Sequence, residues 1–154
     1  MTGMSFTTAE GRQQVLDDLA DGTEQIGIAL VALGEAYEAL DESTGDRLEE
    51  QLFRPVQAAY GRAKRTHSEF STRAGMRPRP FPDPNPGLPA EPRDEIARAI
   101  DQIQLADETL AGLQDSMLPV EVGDPELRAG ISEVRSLIAP VPQRARELLR
   151  TLGR

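Results

Sequence analysis

Apolar side chains recur at alternating steps of three and four residues along four stretches of the chain. This spacing is typical of amphipathic α-helices, because it places the apolar side chains on one face. It predicts helices over about residues 8–42, 44–74, 92–118 and 125–152, within one domain that spans residues 1–154. The apolar face, or seam, of the first helix is formed by Leu16, Leu19, Thr23, Ile26, Leu30, Leu33, Tyr37 and Leu40. We therefore predict an all-α protein, a four-helix bundle whose core is built from four such seams.

Proline and turn residues divide the predicted helices. Residues 43–46, Ser-Thr-Gly-Asp, predict the turn between the first two helices. Residues 75–91 contain alternating prolines, which exclude helix and favour an extended polyproline spacer. The bundle is therefore predicted to consist of two helical hairpins joined by a proline-rich linker. Pro55 predicts a kink in the second helix, and Pro140 and Pro142 predict an interruption of the fourth.

One part of the first helix is apolar on every side, over residues 26–33. Ile28 and Val31 project from the face opposite the seam, and Glu24 and Glu35 continue that face at either end. An apolar centre with a charged rim is typical of a protein contact surface. We predict that these four residues bind a partner, a second copy of the chain in a homodimer. The alternative is a monomer on which two aliphatic side chains are merely exposed.

Composition narrows the possible chemistry. Hydrophobic residues make up 38% of the 154 residues and charged residues 28%, with four Phe, two Tyr and no Trp. Such a core must consist of Leu, Ile, Val and Ala, which favours helix packing over a β-sandwich. The absence of cysteine excludes disulfides, zinc–thiolate sites and cysteine nucleophiles. No apolar run approaches the roughly 20 residues that span a bilayer, and no signal peptide is evident, so we expect a cytoplasmic protein without a membrane span.

Two side chains, His67 and Asp107, are candidates for a catalytic or metal-binding group. A di-iron carboxylate site in a bundle needs Glu-x-x-His pairs, but the chain has one histidine, His67, and only Asp107 places a carboxylate on a seam. Asp107 is therefore interpreted as a residue at the edge of the core or as one that fixes the register of the helices. The unperturbed pKa of histidine lies near neutrality, but His67 has no nucleophile motif beside it, and it continues a stripe with Phe53 and Tyr60 that is predicted to be core. We expect no cofactor and no enzymatic activity.

Charge is distributed unevenly along a chain whose net charge is −9. Residues 1–50 carry twelve acidic and two basic side chains, whereas residues 51–94 carry eight basic and four acidic ones. A basic cluster in the second helix and linker consists of Arg62, Lys64, Arg65, Arg73, Arg77 and Arg79. Its predicted partner is the acidic first helix, so nucleic-acid binding is not expected. The linker also contains two PxxP motifs, at Pro86–Pro89 and Pro89–Pro92, of the form that SH3-like domains recognise.

Residues 37–41, Tyr-Glu-Ala-Leu-Asp, match the Tyr-x-x-x-Asp/Glu pattern of type VII secretion substrates. The leading helical hairpin, residues 7–74, also resembles the small helical proteins of that pathway. The Trp-x-Gly turn of those proteins is absent, because the chain has no Trp. Tyr37 is moreover a seam residue, which explains its presence without secretion.

These observations favour a non-enzymatic interaction or scaffold protein that acts through helix–helix packing. The alternative that the resemblance implies is a secreted or secretion-associated helical hairpin protein.

Overall fold

The computed structural model describes residues 8–152, and this part of the chain is all-helical, without a β-strand. Its elements are α1 (Thr8–Glu38), α2 (Glu42–Leu48), a π-helical segment (Glu49–Phe53), α3 (Arg54–Arg73), α4 (Pro92–Asp115), α5 (Leu118–Glu121), α6 (Pro125–Ile138) and α7 (Val141–Leu152). The five longest helices pack against one another around a core rich in Leu, Ile and Ala. No helix in this range is long and apolar enough to cross a membrane.

Helix α1 packs against both α3 and α4, while α6 packs mainly on α3 and α7 on α4. Most of the α1 seam is buried, and the buried face is broadened by alanines and glycines. The polar seam residue Thr23 is satisfied because its hydroxyl donates to the Leu19 carbonyl at 2.7 Å. Gly22 allows α4 to approach closely, since a Cβ at that position would lie 3.0 Å from a methyl carbon of Leu110.

The aromatic stripe Phe53, Tyr60 and His67 begins in the π-helical segment and continues along α3, and it meets glycines of α1. A Cβ on Gly27 would lie 2.9 Å from the Tyr60 ring, and a Cβ on Gly34 would lie 3.9 Å from the Phe53 ring. Gly34 lies seven residues after Gly27, whereas Phe53 lies seven residues before Tyr60. The helices α1 and α3 therefore run antiparallel. The stripe is buried at Tyr60 and His67, and Phe53 is partly buried. Gly27, one of the glycines that weaken α1 as an isolated helix, therefore accommodates the Tyr60 ring, whereas a side chain at Gly34 would make only ordinary contact with Phe53.

The turn between α1 and α2 lies at residues 39–41, not at residues 43–46 as predicted. The Asp41 carboxylate accepts a hydrogen bond from the Thr44 amide at 2.7 Å and caps α2. Helix α1 consequently ends at Glu38, and the turn-like residues 43–46 lie inside α2. Tyr37, predicted to be a core residue, is 38% exposed.

The π-helical segment directly precedes the helix that contains Pro55. Proline has no amide hydrogen, so the carbonyl of Gln51, four residues earlier, receives no helical hydrogen bond from it. That carbonyl accepts one from Arg144 of α7 at 3.4 Å instead. π-bulges commonly absorb such interruptions of a helical ladder.

The fourth predicted helix is interrupted near its middle. Helix α6 ends at Ile138 and α7 begins at Val141, with Pro142 in its first turn. Proline at the start of a helix is favourable because its missing amide hydrogen would have no helical partner there.

Candidate functional site

The proline-rich linker lies against the helices at one aromatic contact. Residues 76–91 contain no helix or strand. The Phe81 ring meets the ring of His67 edge-to-face, with the ring centroids 5.0 Å apart. The Arg79 guanidinium lies 5.5 Å from the Phe81 ring centroid and donates to the Glu24 carboxylate of α1 at 3.0 Å. The linker is thus held to both α1 and α3, rather than acting only as a spacer.

His67 is the buried titratable group beneath this contact, with only 3% of its surface exposed. Its Nδ1 atom has no hydrogen-bond partner among the described residues. Burial and then the charge of Arg79 lower the pKa of His67, while a backbone hydrogen bond at Leu16 and the charge of Asp17 oppose that shift. The imidazole is therefore held neutral by the surroundings that α1, α3 and the linker create.

We expect acidification to weaken the folded state through His67. Because its pKa in the unfolded chain is about 6.5 and the folded value is lower, the unfolded chain binds the proton more readily. The neutral, buried His67 makes its full contribution to the stability of the folded protein above about pH 6.5. This contribution falls as the pH drops toward the folded-state pKa of His67. Urea unfolding at about pH 7.5 and about pH 5.5 should show this loss, and His67→Phe should reduce it. An equal pH dependence in both proteins would contradict the assignment.

The four predicted partner-binding residues lie along one side of α1, beside α3 and the linker. Glu24 and Ile28 line a cavity of about 400 Å³ whose outer wall is formed by linker residues 79–85. Val31 and Glu35 line an adjoining cavity of about 330 Å³. Ile28 and Val31 are half-buried, so the chain itself covers part of the face opposite the seam. The linker accounts for the apolar Ile28 position.

Tyr60 lines both cavities, as does Asp83 of the linker. Burial, together with the charges of Asp83 and Glu24, raises the pKa of its hydroxyl. The Lys64 ammonium lies 4.2 Å from the centroid of the Tyr60 ring, a cation–π distance. The Tyr60 side chain therefore combines a hydroxyl that resists ionisation with a ring that contacts a cation.

Much of the predicted basic cluster is paired, but mainly with α6 rather than with α1. Arg62 donates to Glu133 of α6 at 2.5 Å. Arg73 forms two hydrogen bonds of 2.8 Å with Asp124, the residue that caps α6. Among the ion pairs within residues 8–152, the Arg79–Glu24 pair is the one that joins this cluster to α1. Pairing within the chain reduces the capacity of this cluster to hold an external anion.

Asp107 lies in an ion pair. It accepts from Arg135 Nε at 2.8 Å, and Gln114 accepts from the same guanidinium at 2.6 Å. The arrangement joins α4 to α6. No group of three or more metal-ligating side chains is arranged around a common point within residues 8–152.

Neither PxxP motif is an uninterrupted polyproline helix. Gly87, inside the first motif, has φ +82°, outside the polyproline region. Pro92, the last residue of the second, begins α4. Leu88, also inside the first motif, is 89% exposed. This geometry does not favour recognition by an SH3-like domain.

Comparison with protein-family models, curated proteins and solved structures finds no match to this chain. The candidate site consequently rests on geometry. Sequence reasoning missed the linker residues Arg79, Phe81 and Asp83 as parts of it, because they were grouped with the spacer or the basic cluster. The available signal was Phe81 itself, the single aromatic residue within the linker, residues 75–91.

Proposed function

We propose that the protein is a non-enzymatic interaction or scaffold protein whose contact surface is the part of α1 beside Val31, within the surface that the sequence predicts from Ile28 and Val31. The observation that supports this proposal is the half-open cavity beside Val31. Its floor contains Leu30, Val31 and Phe53, which are partly buried, and its edge carries Glu35. An apolar centre with a charged rim is the arrangement that protein contact surfaces favour.

The proposed architecture that presents this surface is a four-helix bundle. In it, α6 and α7 act as one helix broken at Pro140, and α2, the π-helical segment and α3 act as another. Support comes from the contacts of α1 with α3 and α4, and from those of α6 and α7 with the same two helices. Long packed helices suit a scaffold because they hold a surface rigid.

The homodimer and the cytoplasmic location predicted from the sequence are separate expectations that this proposal does not require. A dimer would use the Val31 side of α1, since the linker covers the Ile28 side. The secretion alternative has less support from the geometry, because both residues of its motif have local roles. Tyr37 packs beside Gly45, and the Asp41 carboxylate caps α2.

Affinity capture from extracts of the source organism tests the proposed surface. We expect the wild-type protein to retain a partner that Val31→Lys loses, because a cation in the apolar centre opposes burial. The matched control is Leu105→Lys, since Leu105 is an aliphatic residue of α4, 43% exposed and outside the cavity. Equal capture by both variants would contradict the proposed surface. Circular dichroism of both variants checks that they remain helical.

A further inference from the structure

The charged residues that line the cavity beside Val31 are all acidic. We call this cavity the Val31 groove. Its apolar residues are Leu30, Val31 and Phe53, and its charged residues are Glu35, Glu38 and Asp83. All three carboxylates belong to exposed residues. None of them takes part in an ion pair within the described part of the chain.

The length of the groove corresponds to about three turns of a helix. Its lining residues on α1 extend from Gly27 to Glu38, which at about 1.5 Å per residue corresponds to roughly 16 Å, or three helical turns. Amphipathic helices commonly bind by placing their apolar face in a groove of this kind. Phe53 and Tyr60 form the wall on the α3 side, and Asp83 of the linker closes the rim.

Charge identifies which kind of helix fits. A symmetric dimer places the same patch of each copy against the other. A contact through this groove would therefore bring Glu35, Glu38 and Asp83 of both copies together, which opposes binding. A basic partner avoids this repulsion. It would also be attracted over a distance by residues 1–50, which carry twelve acidic and two basic side chains.

We propose that the Val31 groove binds a cationic amphipathic helix of a partner protein, with aliphatic side chains over Val31 and Phe53 and Lys or Arg side chains beside the three carboxylates. This inference rests on the proposed function and names the partner chemistry for the same surface. It assigns a binding role to Asp83 and therefore makes the linker part of the site.

The probe is a fluorescently labelled synthetic peptide of about 14 residues, four helical turns, with leucines on one face and lysines on the other. A second peptide of the same composition has its leucines scattered around the helix, and a third has glutamate in place of lysine. Fluorescence anisotropy reports binding to the full-length protein. We expect the first peptide to bind most tightly, and its affinity to fall between about 50 mM and about 500 mM salt.

The groove variant combines Glu35→Lys, Glu38→Lys and Asp83→Lys. Its matched control combines Asp101→Lys, Glu121→Lys and Glu147→Lys, which are exposed residues outside the groove and give the same net charge. We expect the groove variant to raise the dissociation constant at least about tenfold. The control should change it less than about threefold.

Several outcomes separate this inference from the proposed function. Equal weakening by both variants would mean diffuse attraction to an acidic protein and would overturn the groove assignment. Tighter binding of the glutamate peptide would overturn the partner chemistry and leave the contact surface standing.

If no peptide binds but light scattering gives twice the 16.8 kDa chain mass, and Val31→Lys is monomeric, a second copy is the occupant. That result overturns this inference and supports the proposed function. If no peptide binds, the wild type is a monomer and capture finds no partner that Val31→Lys loses, both fail.

Discussion

Gly130→Ala should destabilise the protein by about 2 kcal/mol, although alanine favours helix. Gly130 lies where α6 crosses α3, and an added Cβ would overlap Thr66 Oγ1 and lie 2.7 Å from Thr66 Cγ2. Thr66 cannot rotate away without loss, because its hydroxyl donates to the Arg62 carbonyl at 2.8 Å. The two helices must therefore separate. Thermal unfolding should show a melting temperature lower by roughly 6 °C.

Two companion variants show whether the crowding is the cause. Gly112→Ala, within α4, has no atom within 4 Å of the added Cβ, so we expect it to stabilise the protein by up to about 1 kcal/mol. Thr66→Ala removes the two closest atoms and should reduce the loss caused by Gly130→Ala in a double-mutant cycle. Stabilisation by Gly130→Ala, or additive effects in the cycle, would contradict the close crossing of α3 and α6.

Asp124→Ala should destabilise the protein by about 2 kcal/mol, because it removes two interactions. The carboxylate caps α6 by accepting the Leu127 amide hydrogen bond at 2.9 Å, a type of cap that contributes about 1 kcal/mol. It also accepts both hydrogen bonds of Arg73, and the carboxylate is 11% exposed. Asp124→Asn keeps the cap and loses the charge, so chemical denaturation should give it an intermediate stability. Equal losses for Ala and Asn would mean that the cap contributes nothing.

The ion pair between Asp124 and Arg73 also predicts that the stability of the protein falls at acidic pH. Burial of this carboxyl group opposes its ionisation, but hydrogen bonds from Arg73 and the Leu127 amide outweigh burial and lower its pKa. The unfolded chain therefore binds the proton more readily. The stabilisation is present above about pH 3.9 and is lost as the pH falls through the folded-state pKa. In Asp124→Asn this acid-sensitive part of the stability should be smaller.

The helices could be predicted from local spacing, but their junctions could not. Leu16, Leu19, Ile26 and Leu33 are buried as their spacing predicts. The first turn was misplaced because residues 43–46 have the composition of a turn, while the single carboxylate of Asp41 fixes where α2 begins. The composition of a segment shows that a turn could form there, but the capping residue determines at which residue the helix begins.

Contacts between distant residues were the part that sequence could not supply. The register of α1 against α3 depends on Gly27 facing Tyr60, a match that neither helix reveals alone. Docking of the linker likewise depends on Phe81 reaching His67, which lies fourteen residues earlier on a different element. The sequence did indicate Val31 and Glu35 as one surface, because residues four apart on a helix are neighbours.

Site-specific photo-crosslinking tests the central claim, that the protein acts through contacts at the Val31 groove. A photoreactive phenylalanine derivative at position 31 places the reactive group in the groove, and the same derivative at Leu105 of α4 serves as the control. In living cells of the source organism, we expect irradiation to yield a discrete crosslinked product from position 31 and none of the same mass from position 105. Identical products from both positions, or a discrete product from position 105 alone, would contradict the account.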